Sequence, residues 1–102
     1  MIRMIRNEGR TTPIVVCDNC KEPITDSEMA MAIWKQPDVD GTQAEVFHLH
    51  KGPCDRAFKA VIGDPNPWQE LTKHLHYLCS NVGLSPEKLL KEEAIEQEIG
   101  TL

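Results

Sequence analysis

Cys17 and Cys20, two residues apart in CDNCKEPI, and His48, His50 and Cys54 in the later stretch HLHKGPC are the residues whose types and spacing suit chemistry. A Cys-x-x-Cys pair is a metal clamp, a redox pair or part of a disulfide framework. The disulfide reading requires export. The N-terminal stretch MIRMIRNEGRTTP is interrupted by Arg3, Arg6 and Arg10 and has no apolar core of a signal peptide. No apolar run approaches the roughly 20 residues of a membrane span. The expectation is therefore a cytoplasmic chain in a reducing compartment, where such a pair serves metal or redox chemistry. A redox pair of the thioredoxin type follows a strand and begins a helix. Here Lys21, Glu22 and Pro23 follow, which points to a loop and disfavours that reading.

Zinc takes four nitrogen or sulfur ligands in a tetrahedron, with Zn–S near about 2.3 Å, and a two-residue spacer lets both thiolates of one turn reach the same ion. Three cysteines and one histidine fill such a site, and the expected ligand set is Cys17, Cys20, His50 and Cys54. One structural zinc per chain is the implied cofactor, with iron as the lesser alternative. His48 competes with His50, because alternate residues of a strand point the same way. The break at Gly52-Pro53 bends the chain after His50 and favours His50 by reach.

These ligands need elements to bring them together. At 102 residues the chain is about one domain, near the size where a hydrophobic core alone is marginal, and only 5% of its residues are aromatic. Residues 1–12, with three arginines against Glu8, read as a flexible arm. PIVVCDNC delivers the first thiol from a short β run. MAMAIW alternates Met29, Met31 and Ile33 against Ala30, Ala32 and Trp34, the period of a half-buried strand, and pairs across Asp40-Gly41 with AEVFHLH as a hairpin. Asp55 suits a helix N-terminus, and Ala57, Phe58, Val61 and Ile62 follow at helical spacing before Gly63. After the linker DPNP, the residues Trp68, Leu71, Leu75, Leu78 and Val82 predict one apolar stripe on a second, longer helix. Ser85 and Pro86 open a third, which Gly100 ends. The fold class is α+β, with residues 13–63 as a zinc-binding module and 64–102 as a helical region packed on it or on a second subunit.

CDNCKEPI, the hairpin, and the aromatic-plus-histidine segment leading to a cysteine at a helix start together resemble a treble-clef zinc finger, more narrowly the first zinc module of a LIM domain. The resemblance covers residues 14–62. Cys17 and Cys20 match its knuckle and Cys54 its ligand at the helix start. The spacer before the histidines is longer than in LIM domains, His50 and Cys54 are separated by three residues where LIM has two, and the second module is missing. The resemblance thus implies the fold of a zinc half rather than a LIM biology.

Other constellations are weaker. His74, His76 and Cys79 supply no partner motif for a second metal and read as a polar helix face with a small, half-buried thiol. LCSNVGLSPEKLL resembles the turn of a helix-turn-helix, but its second helix begins with Glu87 and Lys88 where a DNA reader needs basic residues. The net charge of −5 also argues against phosphate attraction, which the arginine arm alone favours. A nuclease-like enzyme with His48 as base needs a second, open metal site, for which no ligands stand out. There is no nucleophile–base pair, P-loop or dinucleotide turn. The expectation is a non-catalytic binding module with a protein partner. A homodimer through the C-terminal helices would cover the apolar face that the small zinc half leaves over.

Overall fold

Strand β3 is the middle of the molecule, and the other elements follow from what covers it. The computed structural model describes residues 1–63 and 65–98. In chain order they form β1 (Ile2–Asn7), β2 (Arg10–Val15), a short 3-10 turn (Ser27–Met29), β3 (Ala30–Trp34), β4 (Val46–His50), α1 (Pro53–Ile62), β5 (Trp68–Glu70), α2 (Leu71–Asn81) and α3 (Pro86–Glu98). The class is α+β, with two small antiparallel sheets and three helices. β1 and β2 form one sheet, and the other has the order β4-β3-β5. No helix among the described residues is long and apolar enough to cross a membrane.

The alternation in MAMAIW predicts a strand with one wet face, yet Ala30, Met31, Ala32 and Ile33 are all buried. Both faces of β3 are covered. Met31 and Ile33 join Cys17 and Leu49 in the core, against which Ile24, Phe47, Cys54, Phe58 and Ile62 pack. Helix α2 lies across the sheet with Leu71 fully buried. The two alanines leave room in the middle of the strand. Burial of Ile33, Leu49 and Leu71 stabilises the fold by about 1.5–3 kcal/mol each.

Three expectations need correction. Residues 1–12 are not a loose arm, since all of β1 is paired with β2 from Ile2↔Val15 to Asn7↔Arg10. The two-residue turn Glu8-Gly9 has φ of 52° and 78°. That is the left-handed geometry of a tight hairpin turn whose twist matches its strands. The second helix does not begin at Trp68. Trp68–Glu70 pairs antiparallel with Met31–Ile33 as a third strand, which makes the predicted hairpin a three-stranded sheet and ties the segment after the linker to the first half of the chain. Finally, the stripe from Trp68 to Val82 is only partly used: Leu71 is buried and Leu75 half-buried, whereas Trp68, Leu78 and Val82 are exposed. On α1, likewise, Phe58 and Ile62 face the core while Ala57 and Val61 face water. The expected helix end at Gly100 lies outside the described residues.

If β3 is the keystone, Ile33→Ala lowers the unfolding free energy of the metal-loaded protein by about 2–5 kcal/mol. Val61→Ala, on an exposed position, changes it by less than about 0.5 kcal/mol. Urea melts of both variants check this, and equal costs would contradict the placement of the core.

Candidate metal centre

The first pair of thiols comes from a tight loop that follows β2. The Cys17 amide donates to the Glu22 carbonyl (2.9 Å), the Lys21 amide to the Cys17 carbonyl (2.9 Å) and the Ile24 amide to the Val15 carbonyl (2.8 Å). Val16 bridges Pro23 across the loop. Lys21 takes a positive φ of 66°, which turns the chain sharply after Cys20. The loop sets Cys17 inward, fully buried, and leaves Cys20 exposed.

The second pair comes from the end of β4 and the start of α1. His50 is the last residue of the strand, and Gly52, with φ of 92°, bends the chain into the helix as a residue with a Cβ would only under strain. Pro53 occupies the first helical turn, where its missing N–H costs nothing, and the Asp55 carboxylate accepts the Gly52 amide (3.0 Å). Cys54 therefore sits in the first turn of α1, where the positive end of the helix favours a thiolate.

The ligand atoms of Cys17, Cys20, His50 and Cys54 all lie within 4.8 Å of one another. His50 Nδ1 is 3.4 Å from Cys20 Sγ and 4.0 Å from Cys54 Sγ. A tetrahedron with Zn–S near 2.3 Å and Zn–N near 2.0 Å has edges of about 3.5–3.8 Å, which these separations bracket. The four residues thus form a Cys3His group with metal-binding geometry. The other ring nitrogen of His50, Nε2, is 3.2 Å from the Pro23 carbonyl. A carbonyl only accepts, so Nε2 carries the proton and the Nδ1 lone pair is turned to the thiols, an arrangement typical of histidine ligands.

The electrostatics of the cluster suit a cation. Burial pushes the Cys17 thiol up, but the backbone amides of Cys20, His50 and Asn19 outweigh it and bring the pKa down to about 6. Desolvation raises that of Cys54, opposed by Asn19 and reinforced by the neighbouring Cys20 and Cys17 sulfurs. One thiolate forms readily and the next is resisted. A divalent cation removes that conflict.

His48 lies elsewhere. Its backbone amide donates to Asp18 Oδ2 (2.7 Å), the Asp18 amide donates to the His48 carbonyl (2.8 Å), and its Nδ1 is 2.9 Å from the Met1 amino group. The Met1 ammonium also donates to Asp18 Oδ2 (3.0 Å) and to the Val16 carbonyl (2.8 Å). Burial, then the ammonium, drive the His48 pKa down to about 4, with Asp18 opposing and His74 adding to the depression. Its ring is thus neutral at pH 7. Asp18 latches the thiol loop to β4 and so fixes Cys17 relative to His50. Sequence reasoning missed this residue, whose only signal is its place inside the Cys-x-x-Cys. His74 is half-buried beside the His48 and Trp34 rings, 3.1 Å from Gln69 Oε1, with its pKa lowered by burial. His76 is exposed, and Cys79 is half-buried away from the Cys3His group.

The geometry separates the two histidines in function. His50→Ala should remove the bound metal, while His48→Ala should keep it, as read by metal content after gel filtration. Loss in His48→Ala with retention in His50→Ala would contradict the assignment. The comparisons with known proteins do not bear on it, because the chain matches no family model, no curated protein and no solved structure.

Proposed function

We propose that the Cys3His group is a structural zinc site and that the chain is a non-catalytic scaffold that binds another protein. The observation that carries the zinc reading is the convergence of three sulfurs and one oriented imidazole nitrogen on a single centre. Bound there, zinc is held by Cys17, Cys20, His50 and Cys54 and supplies a crosslink between the thiol loop, the end of β4 and the start of α1. Four protein ligands leave no open position for a substrate or an activated water, which is the mark of a structural rather than a catalytic site. The soft donor set favours zinc over the oxygen-seeking cations. The order of thiol loop, hairpin and helix bearing the last ligand supports the treble-clef resemblance as the architecture of this module.

A site of this kind contributes its binding energy to folding. The core it supports is small; one of its ligands, Cys17, is part of that core and another, Cys54, packs against it. The scaffold reading rests on this coupling and on the apolar side chains that stay exposed on α2, at its C-terminal end and on α3, among them Leu78, Val82, Leu89 and Leu90.

Purified protein should contain about one zinc per chain, because closed sites with several thiolates bind zinc tightly at neutral pH. Chelation should abolish the cooperative thermal transition and restored zinc should return it. Cys17→Ser and Cys54→Ser should lose metal and cooperativity together. A cooperative melt of metal-free protein at the original temperature would overturn the structural role.

A further inference from the structure

We propose that the outer edge of β1 takes an extended, acidic segment of a protein partner as a third strand of the N-terminal ribbon. The inference rests on the protein-binding reading and gives that partner a place and a chemistry.

The edge follows from the pairing. Met1 and Val16 exchange both of their backbone hydrogen bonds, the Val16 amide donating to the Met1 carbonyl (2.7 Å) and the Met1 nitrogen to the Val16 carbonyl (2.8 Å). In an antiparallel ladder such pairs alternate with pairs whose N–H and C=O groups point outward. With the register running from Ile2↔Val15 to Asn7↔Arg10, the outward groups belong to Ile2, Met4 and Arg6 on β1 and to Thr11, Pro13 and Val15 on β2. The Val15 carbonyl does face outward, where it accepts the Ile24 amide (2.8 Å).

The two edges are therefore unequal. On β2, the Val15 carbonyl is engaged and Pro13 has no N–H to offer, so that side is blunted against further strands. On β1, the outward amides and carbonyls of Ile2, Met4 and Arg6 have no partner among the described residues, and no strand or helix other than β2 runs along them. Residues 2–13 are all exposed, and a bare two-stranded ribbon is marginally stable in water. A strand added at β1 completes these bonds and lays its own side chains beside Ile2, Met4 and Ile5.

The side chains of β1 select the strand. They include Arg3 and Arg6 and no acid. A second copy would bring its own two arginines to the joint without a counter-charge, whereas carboxylates opposite Arg3 and Arg6 form favourable cross-strand pairs. Met4 and Ile5 lie between the arginines, so the matching segment carries two acids three residues apart with apolar residues between them.

A fluorescent synthetic peptide, Thr-Glu-Val-Val-Glu-Val-Thr, tests this on full-length, zinc-loaded protein, with Thr-Lys-Val-Val-Lys-Val-Thr as its control. Anisotropy should show saturable binding of the glutamate peptide only. Arg3→Glu/Arg6→Glu should weaken it by about tenfold or more and let the lysine peptide bind instead. Met4→Pro removes one outward amide and no bond of the β1–β2 ladder. It should abolish binding with charge unchanged, while zinc content and the thermal transition stay as in the wild type. Those two readouts keep a failure of the strand site apart from a failure of the zinc site. Absence of peptide binding, or binding that Met4→Pro leaves intact, would overturn strand addition at β1, and in the second case a protein partner elsewhere on the chain survives. Binding of mixed-sequence duplex DNA in place of the peptide, lost in Arg3→Glu/Arg6→Glu, would overturn the protein partner itself. A doubled chain mass that Met4→Pro abolishes would give the edge to a second copy and overturn the acidic occupant.

Discussion

Three sulfurs and one imidazole nitrogen held within 4.8 Å of one another are the constraint on which the rest of this molecule depends. Two like unit charges about 4 Å apart repel by roughly 4 kcal/mol in a medium of intermediate polarity. Thiolates gathered so closely therefore require either protons or a cation between them. The buried core is a short list of side chains centred on β3, and Cys17 is one of them. Cys17 thus belongs both to the Cys3His group and to the core, and Cys54 packs against that core.

The elements that deliver the ligands are arranged to limit their freedom before any metal binds. Asp18 makes two hydrogen bonds with the backbone of His48 and one with the Met1 ammonium, so the N-terminal hairpin, the thiol loop and β4 are bonded to one another through it. Pro23 performs the equivalent service for His50, its carbonyl accepting a hydrogen bond from Nε2–H. Gly52 and the Asp55 cap fix the angle at which α1 presents Cys54. Each of these supports is one hydrogen bond or one backbone angle from a ligand, where outer partners orient a metal site and tune its affinity.

The Cys3His group was legible in the sequence because Cys-x-x-Cys spacing and the Gly-Pro bend after His50 are local signals with a geometric meaning. The helix at Pro53–Ile62 was legible for the same reason, through Pro53, Asp55 and the Phe58/Ile62 spacing. What escaped was set by partners distant in sequence. Trp68, Gln69 and Glu70 fit a helical stripe by period, and only their pairing with β3 makes them a strand. The first hairpin was hidden because Glu8-Gly9 is a weaker turn signal than Asn-Gly, and because three arginines make a strand look like a solvated arm. Asp18 and Pro23 have no pattern that marks them as supports of a metal site.

Zinc K-edge X-ray absorption on the purified protein tests the central claim most directly, because it counts and measures the donors without disturbing them. The account predicts a first shell of three sulfurs at about 2.3 Å and one nitrogen at about 2.0 Å, with the outer-shell scattering of a single imidazole ring. A shell containing two imidazoles, fewer than three sulfurs or an exchangeable water oxygen would contradict a closed site built from Cys17, Cys20, His50 and Cys54.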